Sequence, residues 1–131
     1  MVINFKKVNE EAIEPSRGSA QSAGLDLYAV AEGDGVMIEP GTTAMISTGI
    51  CMEIPEGYFG AVYARSGLAL KKGLRPANCV GVIDSDYRGE VMVAIHNDSR
   101  NALCVRKGDR IAHLVVTPYL NISMNEVSEI S

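Results

Sequence analysis

Residues 42–54 read TTAMISTGICMEI, β-branched and apolar side chains held between Pro40-Gly41 and Pro55-Glu56-Gly57. Such a run, bounded by turn formers, reads as a strand over 43–54. Residues 58–64 (YFGAVYA) follow as another. Residues 90–96 (EVMVAIH) are apolar on both faces, which suits a buried strand or one lying between two sheets. Residues 110–116 (RIAHLVV) read similarly. Turn formers punctuate the runs at Glu32-Gly33-Asp34-Gly35, Glu39-Pro40-Gly41, Asp98-Ser99-Arg100-Asn101 and Lys107-Gly108-Asp109. Many short strands at this spacing predict an all-β sandwich or barrel. One segment departs from the pattern. From Ser66 to Gly73 the chain reads SGLALKKG. Ser66 suits an N-cap, Leu68-Ala69-Leu70 are helix formers, Lys71 and Lys72 suit a last turn, and Gly73 suits the position after it. A helix of two turns or fewer is expected there.

The chain has 131 residues, 47% of them apolar and 21% charged. That length fits one domain, expected over residues 1–131, and the mix argues against disorder. No run approaches the ~18 apolar residues of a membrane span, and the N-terminus lacks the pattern of a signal peptide. Cys51, Cys79 and Cys104 are scattered and odd in number, with no CxxC pair, so neither a disulfide framework nor a zinc site is expected. A reducing cytoplasm is the default location.

The net charge of −4 hides a polarity. Residues 1–60 hold 3 basic and 9 acidic side chains, net −6; residues 61–110 hold 9 basic and 5 acidic, net +4. The second segment gathers Arg65, Lys71, Lys72, Arg75, Arg88, Arg100, Arg106, Lys107 and Arg110. A cationic segment in an anionic protein points to a small polyanion rather than to long nucleic acid, which asks for a broader basic surface. Neither nucleic acid nor membrane is an expected partner.

Three stretches carry candidate chemistry. Arg65-Ser66-Gly67 offers a guanidinium fork, a hydroxyl and an open backbone at a helix start, a combination suited to phosphate; an ordinary capped helix would look the same. In Gly81-Val82-Ile83-Asp84-Ser85-Asp86-Tyr87-Arg88-Gly89-Glu90-Val91, two apolar stretches flank an acidic turn. Asp84 there could act on a water and Tyr87 could stack on a sugar or base, although a β-turn alone favours Asp and Ser. Asp26 sits inside the apolar run Ala23–Ala29, where strand alternation would place it on a polar face. His113 alternates with Ile111 and Val115 on a packed face. With His96 as its only companion, no histidine metal motif exists. Magnesium carried in by a phosphate ligand needs only one or two carboxylates and remains open.

Four segments in order resemble the trimeric deoxyuridine triphosphatase (dUTPase) family: AGLDLYA at 23–29, ARSGLALKKG at 64–73, GVIDSDYRGEV at 81–91 and KGDRIAHLVV at 107–116. The resemblance implies a distorted jelly-roll β-barrel with one short helix, assembled as a homotrimer with active sites between subunits. It implies hydrolysis of dUTP to dUMP and pyrophosphate with Mg2+. Asp26 would hold a water on the magnesium. Arg65, Ser66 and Gly67 would contact the phosphates. Asn78 and the backbone through Gly81 and Val82 would read uracil. Asp84 would orient and deprotonate the water that attacks the α-phosphorus. Tyr87 would pack under the deoxyribose and exclude a 2′-hydroxyl. Arg110 would support the phosphate end.

The family usually has glutamine where His113 stands and proline where Ala64 stands. Here His113 would donate to a phosphate oxygen, with a charge that varies with pH. The family's glycine-rich C-terminal motif has no counterpart in 1–131. The chain stops at Glu129-Ile130-Ser131, about where that arm would begin, so a truncated or further segment is expected. Two competing readings follow. A deoxycytidine triphosphate deaminase shares the fold but would need a glutamate base by the cytosine ring, where Asp84–Tyr87 instead matches the hydrolase. A regulatory protein would keep the nucleotide site and lack full turnover.

Overall fold

The stretch that reads as one strand over 43–54 is two strands in different sheets. In a computed structural model describing residues 1–131, β4 (Thr43–Ser47) and β5 (Ile50–Glu53) are separated at Thr48-Gly49. Gly49 takes φ 68°, and a Cβ there would stand 2.8 Å from the Ala12 Cβ. Only glycine fits the turn that carries the chain from one sheet to the next. Glu90 and Thr48 pin the switch. The Glu90 carboxylate accepts from Ser47 Oγ and from the Gly49 N–H (2.8 Å), and Thr48 Oγ1 donates to the Val91 carbonyl (2.6 Å).

The remaining elements are β1 (Asn4–Lys7), β2 (Leu25–Tyr28), β3 (Val36–Ile38), β6 (Tyr58–Tyr63), α1 (Ser66–Lys72), β7 (Leu74–Pro76), β8 (Gly81–Ile83), β9 (Met92–Asn97), β10 (Leu103–Val105) and β11 (Arg110–Pro118). Every pairing is antiparallel. A four-stranded sheet runs β2-β11-β6-β8 and a three-stranded sheet β4-β9-β7, with two-stranded pairs β1-β5 and β10-β3. The expected all-β architecture with one short helix is present, as a distorted jelly-roll. No helix is long and apolar enough to cross a membrane.

One cluster of 19 buried side chains joins these sheets, with Leu27, Ile38, Ile46, Ile50, Ile95 and Ile111 among the most enclosed. The β9 segment differs from the expectation of burial on both faces. Val93, Ile95 and Asn97 point inward, Met92 is exposed, and Ala94 and His96 are half-buried. Strand alternation therefore governs it, and its second face is open in the single chain. Asn97 is fully buried and fully used. Its amide donates to the carbonyls of Ile38 and Asn101 (both 2.8 Å), and its Oδ1 accepts from the Ser99 N–H and hydroxyl. A buried amide so satisfied carries little desolvation cost and fixes the loop after β9.

Candidate active site

Asp26 lies in the middle of β2, opposite His113 of β11 in register. Alternation would turn it outward, but Asp26 and its neighbour Leu27 are both buried, Asp26 with only 4% of its surface exposed. A buried carboxylate costs several kcal/mol unless charges of opposite sign meet it. Here they do. Arg65 Nε stands 3.5 Å from Oδ1, Arg110 Nη1 3.8 Å from Oδ2, and His113 Nδ1 2.9 Å from Oδ1. Arg65 also donates from Nη1 to the Arg110 carbonyl (3.2 Å), which joins the start of α1 to the start of β11. With two arginines on one carboxylate the cluster carries an excess positive charge, and Arg110 and His113 are partly open to solvent. It is ready for an anion.

The close contacts leave two atoms without partners. Asp26 Oδ1 and Arg65 Nε are both buried and form no hydrogen bond, because the guanidinium and imidazole near Oδ1 are close without being aligned. No group of three or more His, Cys, Asp or Glu side chains gathers anywhere in the chain. A magnesium held mainly by protein ligands therefore has no cage. A magnesium that keeps its waters and arrives on a polyphosphate fits, since one orphaned carboxylate oxygen can accept from a metal-bound water.

The helix differs from expectation at its start. Arg65 is the N-cap residue, with φ −85° and ψ 126°, and no side chain caps the turn. Ser66 is the first helical residue rather than the cap. The physical reason is Arg65 itself: extended backbone there lays the guanidinium on Asp26 and Arg110, so the chain becomes helical one residue later. The Ser66 hydroxyl consequently has no intramolecular partner, and Ser66 and Gly67 are exposed beside the arginines. The far end follows expectation. Gly73 closes the helix in the left-handed conformation, with Lys71 and Lys72 in the last turn.

The other candidates lie around the loop from β7 to β8, which joins two sheets rather than closing the hairpin the family resemblance suggests, and the turn after β8. The Ala77 N–H donates to the Ala94 carbonyl (2.7 Å), which roots the start of this loop on β9. Asn78 and Val82 are exposed. Gly81 lies against Val62 of β6, where a Cβ would come within 3.1 Å of the Val62 Cβ and 3.5 Å of the Asn78 amide nitrogen. Asp84 is exposed, and its carboxylate makes no ion pair or hydrogen bond within the chain. It lines an open cleft of about 990 Å³ together with Val82, Phe59 and Tyr119. The Tyr87 hydroxyl donates to the Glu90 carbonyl (2.7 Å), which holds the ring over Gly89. A Cβ at Gly89 would meet that ring at 2.7–3.1 Å, so only glycine admits this pose.

Two halves thus emerge. Asp26, Arg65, Ser66, Gly67, Arg110 and His113 meet at one end of the four-stranded sheet. Asn78, Gly81, Val82, Asp84 and Tyr87 gather around β8 at its opposite edge. His113 faces Tyr63 across β6, whereas Ile83, just before Asp84, faces Gly60. Three strand spacings and four residues along β6 place Asp84 roughly 20 Å from Asp26. Glu90, whose carboxylate holds the sheet switch and whose carbonyl holds the Tyr87 ring, lies in the 81–91 motif, but nothing in that motif shows its reach to Ser47 and Gly49.

The family model for dUTPase matches residues 10–131. The deoxyuridine 5′-triphosphate nucleotidohydrolase of Hydrogenobaculum sp. (strain Y04AAS1) is 43% identical over 131 residues, covering 100% of this chain and 90% of that protein. The protein of the same description from Clostridioides difficile is 41% identical over 129 residues, covering 98% and 88%. Among solved structures, a point mutant of the dUTPase from phage phi11 of S. aureus, described for its coordination of a structural Mg(II) ion, aligns with a TM-score of 0.90. Its identity is 25%, with 99% of each chain covered. A mutant of the Staphylococcus bacteriophage 80alpha dUTPase with dUpNHpp aligns at 0.87 with 28% identity, covering 98% of this chain and 89% of that one. With the family model spanning nearly the whole sequence and relatives above 40% identity along it, this chain belongs to the dUTPase family.

Proposed function

We propose that the protein hydrolyses dUTP to dUMP and pyrophosphate at sites built from more than one copy of the chain. The observation that carries this reading is the split of the candidate residues into a cationic half and a nucleoside half at opposite edges of one sheet, bordering different clefts. Each chain contributes one β domain over residues 1–131, and a homotrimer brings the nucleoside half of one chain to the cationic half of a neighbour. Arg65, Ser66, Gly67 and Arg110 hold the phosphates, with His113 a further donor in place of the family's glutamine. The Asn78 loop and the Gly81-Val82 backbone read the base. Tyr87, locked by Glu90, leaves no room for a 2′-hydroxyl. Asp84, free of internal partners, is available to take a proton from the attacking water.

Magnesium supplies charge neutralisation on the triphosphate when bound. Asp26, whose buried Oδ1 has no hydrogen-bond partner, is the residue that would hold it through a water. The relative described with a structural Mg(II) ion and the one with dUpNHpp support the metal and the ligand class. The three cysteines are free, which suits a reducing, cytoplasmic setting.

Pyrophosphate release measured with Mg2+ from dUTP, dCTP and UTP tests the reading. Release from dUTP alone is expected. Equal release from UTP would overturn the sugar gate. Binding of dUTP without release would overturn the hydrolase reading in favour of a nucleotide-binding protein.

A further inference from the structure

Behind the cationic half, a cleft of about 680 Å³ opens between α1 and the loops before β11. Its walls carry Arg65, Lys71, Lys72, Arg106 and Arg110, against a single acid, Asp109. Asp109 is already engaged, since its carboxylate accepts the Arg106 backbone N–H (2.8 Å). Arg65 and Arg110 lean on Asp26. Lys71, Lys72 and Arg106 are exposed and form no ion pair, although the chain has more acids than bases. A concave surface holding three unpaired cations, in a protein of net −4, concentrates anions in one place.

The direction of the reaction says which anion. The nucleoside and its α-phosphate stay with Asp84 and Tyr87, so the leaving end of the triphosphate must point into the cationic half. The cleft shares Arg65 and Arg110 with that half and continues from them toward Lys71, Lys72 and Arg106. We propose that it binds pyrophosphate as it leaves, with Lys71, Lys72 and Arg106 receiving the charge that Arg65 and Arg110 release. This inference rests on the reading of the reaction above for its direction, and on the cleft's own charges for its ligand. It predicts that pyrophosphate competes with substrate through residues that dUMP never meets.

Calorimetric titration of the Mg2+-supplemented protein with inorganic pyrophosphate and, separately, with dUMP tests it. In the variant carrying Lys71→Gln, Lys72→Gln and Arg106→Gln, pyrophosphate should bind about tenfold or more weakly at low salt, and the deficit should shrink near about 0.5 M salt. Binding of dUMP should change less than about twofold, and the variant carrying Lys71→Arg, Lys72→Arg and Arg106→Lys should keep wild-type affinity for pyrophosphate. An unchanged melting temperature establishes that the triple variant folds. Pyrophosphate affinity within twofold of wild type, or an equal loss for dUMP, would overturn the inference. Because the measurement needs no turnover, the two readings fail separately: loss of cleft dependence in an active enzyme overturns this inference alone, whereas cleft-dependent pyrophosphate binding by a protein that fails to hydrolyse dUTP overturns the hydrolase reading and, with it, the leaving-group role of the cleft.

Discussion

The two halves of the site are built on opposite principles. The cationic half is organised by side chains: a buried carboxylate fixes two arginines and a histidine, and the strands only deliver them. The nucleoside half is organised by backbone. Its turn is held by carbonyl contacts, with the Tyr87 hydroxyl on Glu90 and the Arg88 guanidinium on Ser85 (2.7 Å), and its one candidate base stands free. Charge that must meet a polyanion is set in advance, where reorganisation would slow the reaction. Asp84, the group proposed to take a proton, is left without competing partners. The halves should therefore fail differently when damaged.

The largest effect should come from Asp84→Asn. Turnover is expected to fall by roughly 10²–10⁴ with nucleotide binding nearly intact, as for the loss of a general base. Steady-state kinetics beside equilibrium binding would show it, and near-normal turnover would remove Asp84 from the role. The same variant also tests the split directly. Mixed and reassembled with an Arg65→Ala chain, itself inactive, it should recover about a quarter of wild-type activity, because random trimers rebuild that share of intact paired sites. No recovery would mean that both halves act within one chain.

Asp26→Asn should act on stability as well as activity. It leaves Arg65 and Arg110 facing a neutral group, with an expected loss of about 2–4 kcal/mol in denaturant unfolding. Stability unchanged within error would mean that the two arginines do not depend on the carboxylate. Ser66→Ala should be the mildest. Ser66 caps nothing, so the melting temperature should hold while turnover falls by about tenfold, a loss of one hydrogen bond to a charged oxygen. A lower melting temperature would restore the capping role that the residue type suggests.

The sequence shows the strand content and the short helix, because turn formers and alternation are local signals; the candidate site residues come from the four motif segments, and their division into two halves needs the sheet order. The misreadings arise where a distant residue overrides a local one. Ser66 has the chemistry of a cap, but Arg65 is drawn to Asp26 and Arg110 and takes the position. Asp26 follows the alternation of a surface residue, and the cations that permit its burial stand far along the chain. The division at Thr48-Gly49 had a visible sign, a glycine inside a strand pattern, but its anchor on Glu90 lies 41 positions away. The short strands β1, β3, β7 and β10 lack enough residues for any period to register.

The pairing of β2 sets a timetable. Its only ladder partner is β11, the last strand in the chain, and Asp26 waits for His113 across 113 − 26 = 87 positions. At about 5–20 residues per second of synthesis, that interval is roughly 4–17 s. Throughout it, the strand bearing the carboxylate has an open edge and no arginine from β11 to meet it. The half of the site with the most firmly fixed charges is thus completed only after the residues of the other half, 78–87, have been made.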